Sequence, residues 1–184
     1  AAKVVYEAFE SHPALRQKQI QMIGLDVTRE IVLTPNLVEY MTCLSQEIGN
    51  FIRNITRFYF DFHWKQEGVI GCVINDPLAV AYCIDHSLCK GFSAYTTVET
   101  AGISLGQTVV DTYDFWKKEK NSHILTETDP YRFMTFFITL VFGADASDVR
   151  HFLRQIMVEN AGKRVWMPKD EEVPVEMLKG DVVK

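Results

Sequence analysis

The sequence predicts an α/β protein, a mixed, mostly parallel sheet flanked by helices. Two observations carry this. Segments whose apolar residues recur at helical spacing take turns along the chain with short segments of alternating polarity, the order expected of a layered α/β fold. No internal repeat or low-complexity segment interrupts that order. Size agrees, since 184 residues, 47% hydrophobic and 12% aromatic, suffice for one well-buried domain and are short for two. The domain is expected over residues 1–160, followed by a polar tail over residues 161–184.

The elements follow in order. In "AAKVVYEAFE", Val4, Val5, Ala8 and Phe9 share a helical face with no capping residue ahead of them, as if the chain were entered midway. "HPALRQ" breaks the rhythm. "KQIQMIGLDV" reads as a strand, with Ile20, Met22 and Gly24 alternating against Gln19, Gln21 and Ile23. "LTPNLVEYM" starts a helix, with Thr34 as cap and Pro35 in the first turn. Ser45 is placed to cap the next helix, over residues 46–66. There Phe51, Ile55, Phe58 and Phe62 form an apolar face, Tyr59, His63 and Glu67 lie a turn apart on a neighbouring one, and Gly68 and Gly71 end the helix.

"GCVINDPLAVAYCID" supplies a short apolar lead into a helix over residues 77–84 that is apolar nearly all round, and so is expected to be buried. "FSAYTTVE" and "TVVDTYDFW" alternate as strands around a loop holding Gly102 and Gly106, and "SHILTE" is a third short strand. "DPYRFMTFFITLVFG" is a second Asp-Pro helix. "ASDVRHFLRQIMVEN" is amphipathic, with Val149, Phe152, Leu153, Ile156 and Met157 inward. The charged tail from Gly162 contains two prolines and carries no clear period.

Composition narrows the function. A formal charge of -5 with acids and bases interspersed offers no basic face to neutralise phosphates, so no nucleic-acid partner is expected and a small one is. Cys43, Cys72, Cys83 and Cys89 form no C-x-x-C pair and stand in apolar contexts, which suits reduced, buried thiols. No apolar run approaches 18 residues and no basic-then-apolar start is present, so neither a membrane partner nor a signal peptide is expected, and a cytoplasmic protein is the default.

Asp76 is the first candidate site residue. An Asp directly before Pro commonly starts a helix, its carboxylate accepting the free amides of the first turn, and Asp129-Pro130 supplies an internal control. The flanks differ. Asp129 follows Glu127 and Thr128 in a polar loop, whereas Asp76 stands between "CVI" and an apolar helix, where a charge without a partner is costly. A cation or a ligand hydroxyl would satisfy it, although a hard cation takes several oxygen ligands, so Asp76 alone cannot form the site. Asn75 beside it offers two donors and one acceptor to a sugar or base, or serves as a turn residue. His63 can exchange a proton near neutral pH, or is simply a packed histidine. Asp26 ends a strand, and a structural role suits it. No dinucleotide fingerprint, phosphate-cradling loop or nucleophile elbow occurs.

"AAKVVYEAF", "IGLDVT", "GCVINDPLAVAYCID", "VETAGISLGQTVVD" and "DPYRFMTFFITLV" occur in an order and at spacings that resemble the second half of the inosine-uridine type nucleoside hydrolases, from Ala1 to about Ile156. The resemblance implies calcium-dependent hydrolysis of the N-glycosidic bond of ribonucleosides to free base and ribose. It further implies that Asp76, at the aspartate of the family's His-Asp-Pro motif, ligates calcium and touches the ribose, and that the protein forms homo-oligomers.

Two departures accompany it. The family's N-terminal aspartate cluster and its ribose-binding Asn and Glu have no counterpart here. The chain is therefore expected to be the C-terminal portion of a hydrolase, incomplete alone and associated with its missing N-terminal half or with further copies. Asn75 also stands where many members place a histidine that protonates the leaving base, and an amide cannot do so. By offset from Asp76, the base-contacting positions of the preceding helix fall on Tyr59 and His63. His63 is the expected replacement acid, with Tyr59 packing on the base. The competing expectation is a non-catalytic homologue that binds nucleoside or acts as a structural subunit.

Overall fold

The computed structural model describes residues 2–16 and 18–160. In chain order the elements are α1 (Ala2–Ser11), α2 (Pro13–Arg16), β1 (Ile20–Ile23), α3 (Leu25–Thr28), β2 (Val32–Leu33), α4 (Pro35–Leu44), α5 (Gln46–Glu67), β3 (Cys72–Val73) and α6 (Asn75–Ile84). A 3-10 turn (His86–Leu88), β4 (Cys89–Val98), β5 (Thr108–Asp111), β6 (Ser122–Thr128), α7 (Pro130–Phe142) and α8 (Ala146–Asn160) complete them. The expected tail over residues 161–184, the first residue of the opening helix and the Met157 side chain lie outside the described residues.

Contacts divide the chain into two compact units. Among the described residues, one comprises those up to Val27 together with Cys89–Thr128, the other Thr28–Leu88 and residues 129–160. The first unit holds a four-stranded mixed sheet in the order β1-β6-β4-β5. β1 runs parallel to β6, with Ile20 opposite Ser122, while β4 is antiparallel to both β6 and β5. Asn121 ties this sheet together. Its side-chain oxygen accepts from the Thr96 N–H at 2.8 Å, and its amide donates to the Thr96 carbonyl at 2.9 Å and to Glu10 at 3.0 Å.

Two strands are shorter than their sequences suggest. β1 stops at Ile23 because "LDVT" turns into α3, which places Asp26 in a helical first turn. β5 stops at Asp111, whose buried carboxylate accepts the Phe115 and Trp116 N–H groups at 2.8 Å each and so folds the following chain back on itself.

The second unit is mainly helical. Thr34 and Ser45 cap α4 and α5 as expected, accepting the N–H groups of Leu37 and Ile48. The face that α5 buries is not its most apolar one. Ile52, Thr56, Phe60 and His63 are buried with Gly49, whereas Phe51, Ile55, Phe58 and Phe62 are exposed, Phe58 by 71%. Close packing of α4 on α5 explains the choice, since a Cβ at Gly49 would run into the Thr42 backbone. Thr56 can be buried because its hydroxyl donates to the Ile52 carbonyl at 2.7 Å.

α6 likewise buries one side only. Leu78, Ala81 and Tyr82 are inward, while Val80 and Ile84 are exposed, so the expectation of a helix buried all round is corrected. α7 and α8 pack on each other, with Phe133, Ile138, Val149 and Leu153 fully buried. Tyr40 of α4 stacks on Phe152 of α8 at 3.7 Å between ring centres. The four cysteines are free, but Cys43 and Cys83 are exposed, so only Cys72 and Cys89 match the expected buried thiols. Among the described residues no helix is long and apolar enough to cross a membrane.

Candidate active site

The candidate residues all belong to the second unit, on two helices linked by a short strand. α5 ends at Gly68, whose left-handed φ of 66° suits a residue without a Cβ and whose N–H reaches back to the last-turn carbonyls. The chain then enters β3, paired antiparallel with β2 through Val32 opposite Val73 and Leu33 opposite Cys72. Gly71 makes that pairing possible, since at φ 140° it lies so close to β2 that a Cβ would meet the Leu33 carbonyl oxygen at 2.8 Å. One rung further on, the Ile74 N–H donates to the Ile31 carbonyl at 3.2 Å, and α6 begins.

α6 starts two residues earlier than a capping role for Asp76 requires. Ile74 occupies the cap position and makes no side-chain bond, so Asp76 lies inside the first turn. Its side chain is exposed and makes no hydrogen bond or ion pair among the described residues. The expectations that Asp76 caps the helix and that its charge is desolvated in this chain are both corrected. What remains is a carboxylate held by the helix dipole and open to a ligand. Pro77 is accommodated because the first-turn amides have no intrahelical acceptor in any case.

Asn75, half-buried, points its side-chain oxygen at Thr28, whose hydroxyl donates to it at 2.7 Å. Tyr59 and His63 stand one turn apart on α5 with ring centres 6.2 Å apart, Tyr59 52% exposed and His63 only 7%. His63 Nδ1 lies 2.8 Å from the Tyr59 carbonyl oxygen. A carbonyl only accepts, so Nδ1 carries the proton of this bond and Nε2 is the nitrogen left for other chemistry.

The structure thus places Asn75 and Asp76 together at one helix start and Tyr59 and His63 together on the helix before it. β3, against which α5 packs, connects the two pairs. Thr28 and Arg29 went unnoticed in the sequence. The Arg29 guanidinium forks onto Glu67 at 2.8 and 3.1 Å, fastening the end of α5 to the segment that also holds Asn75. Their signal is faint, because the β2–β3 pairing that brings them there spans two residues per strand.

Cavities among the described residues lie elsewhere. One of about 240 Å³ is lined by Phe9, Lys18, Tyr95, Lys118 and Asn121, another of about 490 Å³ by Tyr131, Arg132, Phe136, Thr139 and Leu140. Neither contains a residue singled out for chemistry.

Calcium binds through six to eight oxygen atoms. Asp76 is a donor of the right type, but among the described residues no three His, Cys, Asp or Glu side chains could hold a metal together. The described residues therefore do not form a calcium site by themselves.

A mixed sheet with flanking helices and an exposed carboxylate at an Asp-Pro helix start define the class, and comparison gives the family. The profile of the inosine-uridine preferring nucleoside hydrolases matches residues 1–135, and the chain belongs to that family. It is 25% identical over 121 residues to the pyrimidine-specific ribonucleoside hydrolase RihA of Shewanella sp. (strain ANA-3), covering 65% of this chain and 38% of that protein. The inosine-uridine preferring nucleoside hydrolase of Crithidia fasciculata is 29% identical over 94 residues, 50% of this chain and 30% of that protein. Among solved structures, the purine-preferring ribonucleoside hydrolase from Gardnerella vaginalis superposes with a TM-score of 0.64 at 25% identity, over 82% of this chain and 44% of that one. The chain thus spans less than half the length of the relatives it matches.

Proposed function

We propose that the protein containing this chain hydrolyses the N-glycosidic bond of ribonucleosides. Water adds to the anomeric carbon, the bond to the base nitrogen breaks, and the base leaves with a proton, giving ribose and free base. The observation that carries the reading is Asp76, an exposed carboxylate in the first turn of α6 without a partner among the described residues, within the stretch matched by the family. Asp76 is assigned as one oxygen ligand of a calcium ion and a contact to the ribose, with the remaining calcium ligands supplied from outside the described residues.

In this reading Asn75 donates hydrogen bonds to the substrate and Tyr59 packs its exposed ring on the base. His63 gives a proton from Nε2 to the departing base while Nδ1 stays bonded to the Tyr59 carbonyl. The protein works as a homo-oligomer or with a further segment that completes the site, inside the cell, on free nucleosides rather than on nucleic acid.

The test compares His63→Ala with the parent on inosine or uridine and on p-nitrophenyl riboside, whose leaving group needs no proton. Loss of general-acid catalysis is expected to cost on the order of a hundredfold or more on the nucleosides and little on the activated substrate. Equal losses on both would remove His63 from the acid role. A parent enzyme inactive on every ribonucleoside, yet giving heat on nucleoside titration, would favour a binding protein over a hydrolase.

A further inference from the structure

We infer that Thr28 is a positioning residue: its hydroxyl fixes the Asn75 amide so that this position offers the nucleoside hydrogen-bond donors and no acceptor. The inference rests on the hydrolase reading for what the ligand is, and on geometry for the rest. Thr28 closes α3 and is 4% exposed. Its buried hydroxyl proton needs an acceptor, and Asn75 Oδ1 at 2.7 Å is the one it has among the described residues. An asparagine amide carries its acceptor and its two donors on opposite sides. With Oδ1 turned to Thr28, Nδ2 faces away, and neither of its protons has a protein partner among the described residues. The opposite flip would point Oδ1 outward and leave the Thr28 proton without an acceptor.

Thr28 is itself held. The Ile31 N–H donates to the Thr28 carbonyl at 3.0 Å, and the Ile31 carbonyl accepts the Ile74 N–H, one residue before Asn75. Arg29 is forked onto Glu67 at the end of α5. The hydroxyl that orients Asn75 therefore sits on a turn pinned to both helices that bear the candidate residues.

The chemical consequence concerns the substrate. A fixed pair of N–H donors recognises an acceptor, such as a nucleobase keto oxygen or an unprotonated ring nitrogen. It stabilises charge developing on the departing base by hydrogen bonding and delivers no proton. In this protein the two tasks are divided, with donation at Asn75 and proton transfer elsewhere.

The experiment uses the protein from its complete reading frame, with Thr28→Val and Thr28→Ser made alone and in an Asn75→Ala background. Thr28→Val is expected to lower kcat/KM for uridine or inosine about tenfold, the scale of one hydrogen bond, and Thr28→Ser to restore it. In the Asn75→Ala background Thr28→Val should cost nothing further. An unchanged kcat/KM in Thr28→Val, or the same loss with and without Asn75, overturns the inference. A readout independent of turnover is the side-chain amide signal of Asn75 in a 15N-labelled sample, identified by its loss in Asn75→Ala. It should move or broaden in Thr28→Val and not in Thr28→Ser, and if it does not, the inference falls even in an active enzyme. If no ribonucleoside is cleaved but the Asn75 signal responds as expected, the hydrolase reading fails and the positioning role stands.

Discussion

The same dipeptide begins two helices of this protein and does different work in each. At α7, Asp129 sits at the cap position, and its Oδ1 accepts the N–H groups of Tyr131 and Arg132 at 3.0 and 3.1 Å. At α6 the helix begins two residues sooner, Ile74 occupies the cap position, and Asp76 is carried into the first turn with both oxygens unengaged among the described residues. The shift arises because β3 pairs with β2 up to Ile74, so the ladder rather than a side chain holds the start of α6. A carboxylate relieved of capping is available to a ligand; one that caps is already spent on the backbone.

The sharpest way to break this comparison is to remove each charge in turn. In the complete protein, Asp76→Asn is expected to abolish detectable calcium binding by calorimetry and to lower nucleoside hydrolysis by at least about a hundredfold. Stability should fall by no more than the roughly 0.3–1 kcal/mol that a first-turn carboxylate gains from the helix dipole. Retained calcium heats and turnover in this variant would remove Asp76 from the site.

Asp129→Ala should do the reverse. Loss of two capping bonds is expected to destabilise by about 1 kcal/mol, read as a lowered midpoint in urea with an unchanged slope, with kcat/KM for nucleosides intact. If Asp129→Ala impaired catalysis as severely as Asp76→Asn, the two carboxylates would not be functionally distinct and the contrast would collapse.

How much of this was legible in the sequence follows from the range of each interaction. The caps at Thr34, Ser45 and Asp129 lie within three residues of the amides they satisfy and could be read directly. The helix over α7 was likewise legible from its period. The face α5 buries was not, because a 22-residue helix with aromatics on several sides leaves the choice to its partner, and Gly49 against Thr42 decides it. Asp76 could be read as a second capping aspartate because the offset of two residues is imposed from far along the chain, by Ile31 and Leu33 pairing with Ile74 and Cys72. The Thr28–Asn75 bond joins residues 47 apart and has no local signature.

The smallest expected effect tests whether the ladder does hold the start of α6. Cys72 lies in β3 opposite Leu33, two residues before Ile74, fully buried, and burial pushes its thiol up to about 12. At pH 8 iodoacetamide should therefore modify exposed Cys43 and Cys83 while Cys72 stays unreacted, as mass spectrometry of the peptides would show. The pH dependence has a definite sign. Between the ordinary thiol value and about 12 the unfolded chain loses the Cys72 proton and the folded one keeps it, so this residue makes stability fall as pH rises through that window. Cys72→Ala should flatten the slope there. Because the ladder and not Asp76 fixes this region, Asp76→Asn should leave Cys72 as slow to alkylate as in the parent, whereas Gly71→Ala, which forces a Cβ against the Leu33 carbonyl, should expose it. Rapid alkylation of Cys72 in Asp76→Asn would mean that the carboxylate supports the helix start after all.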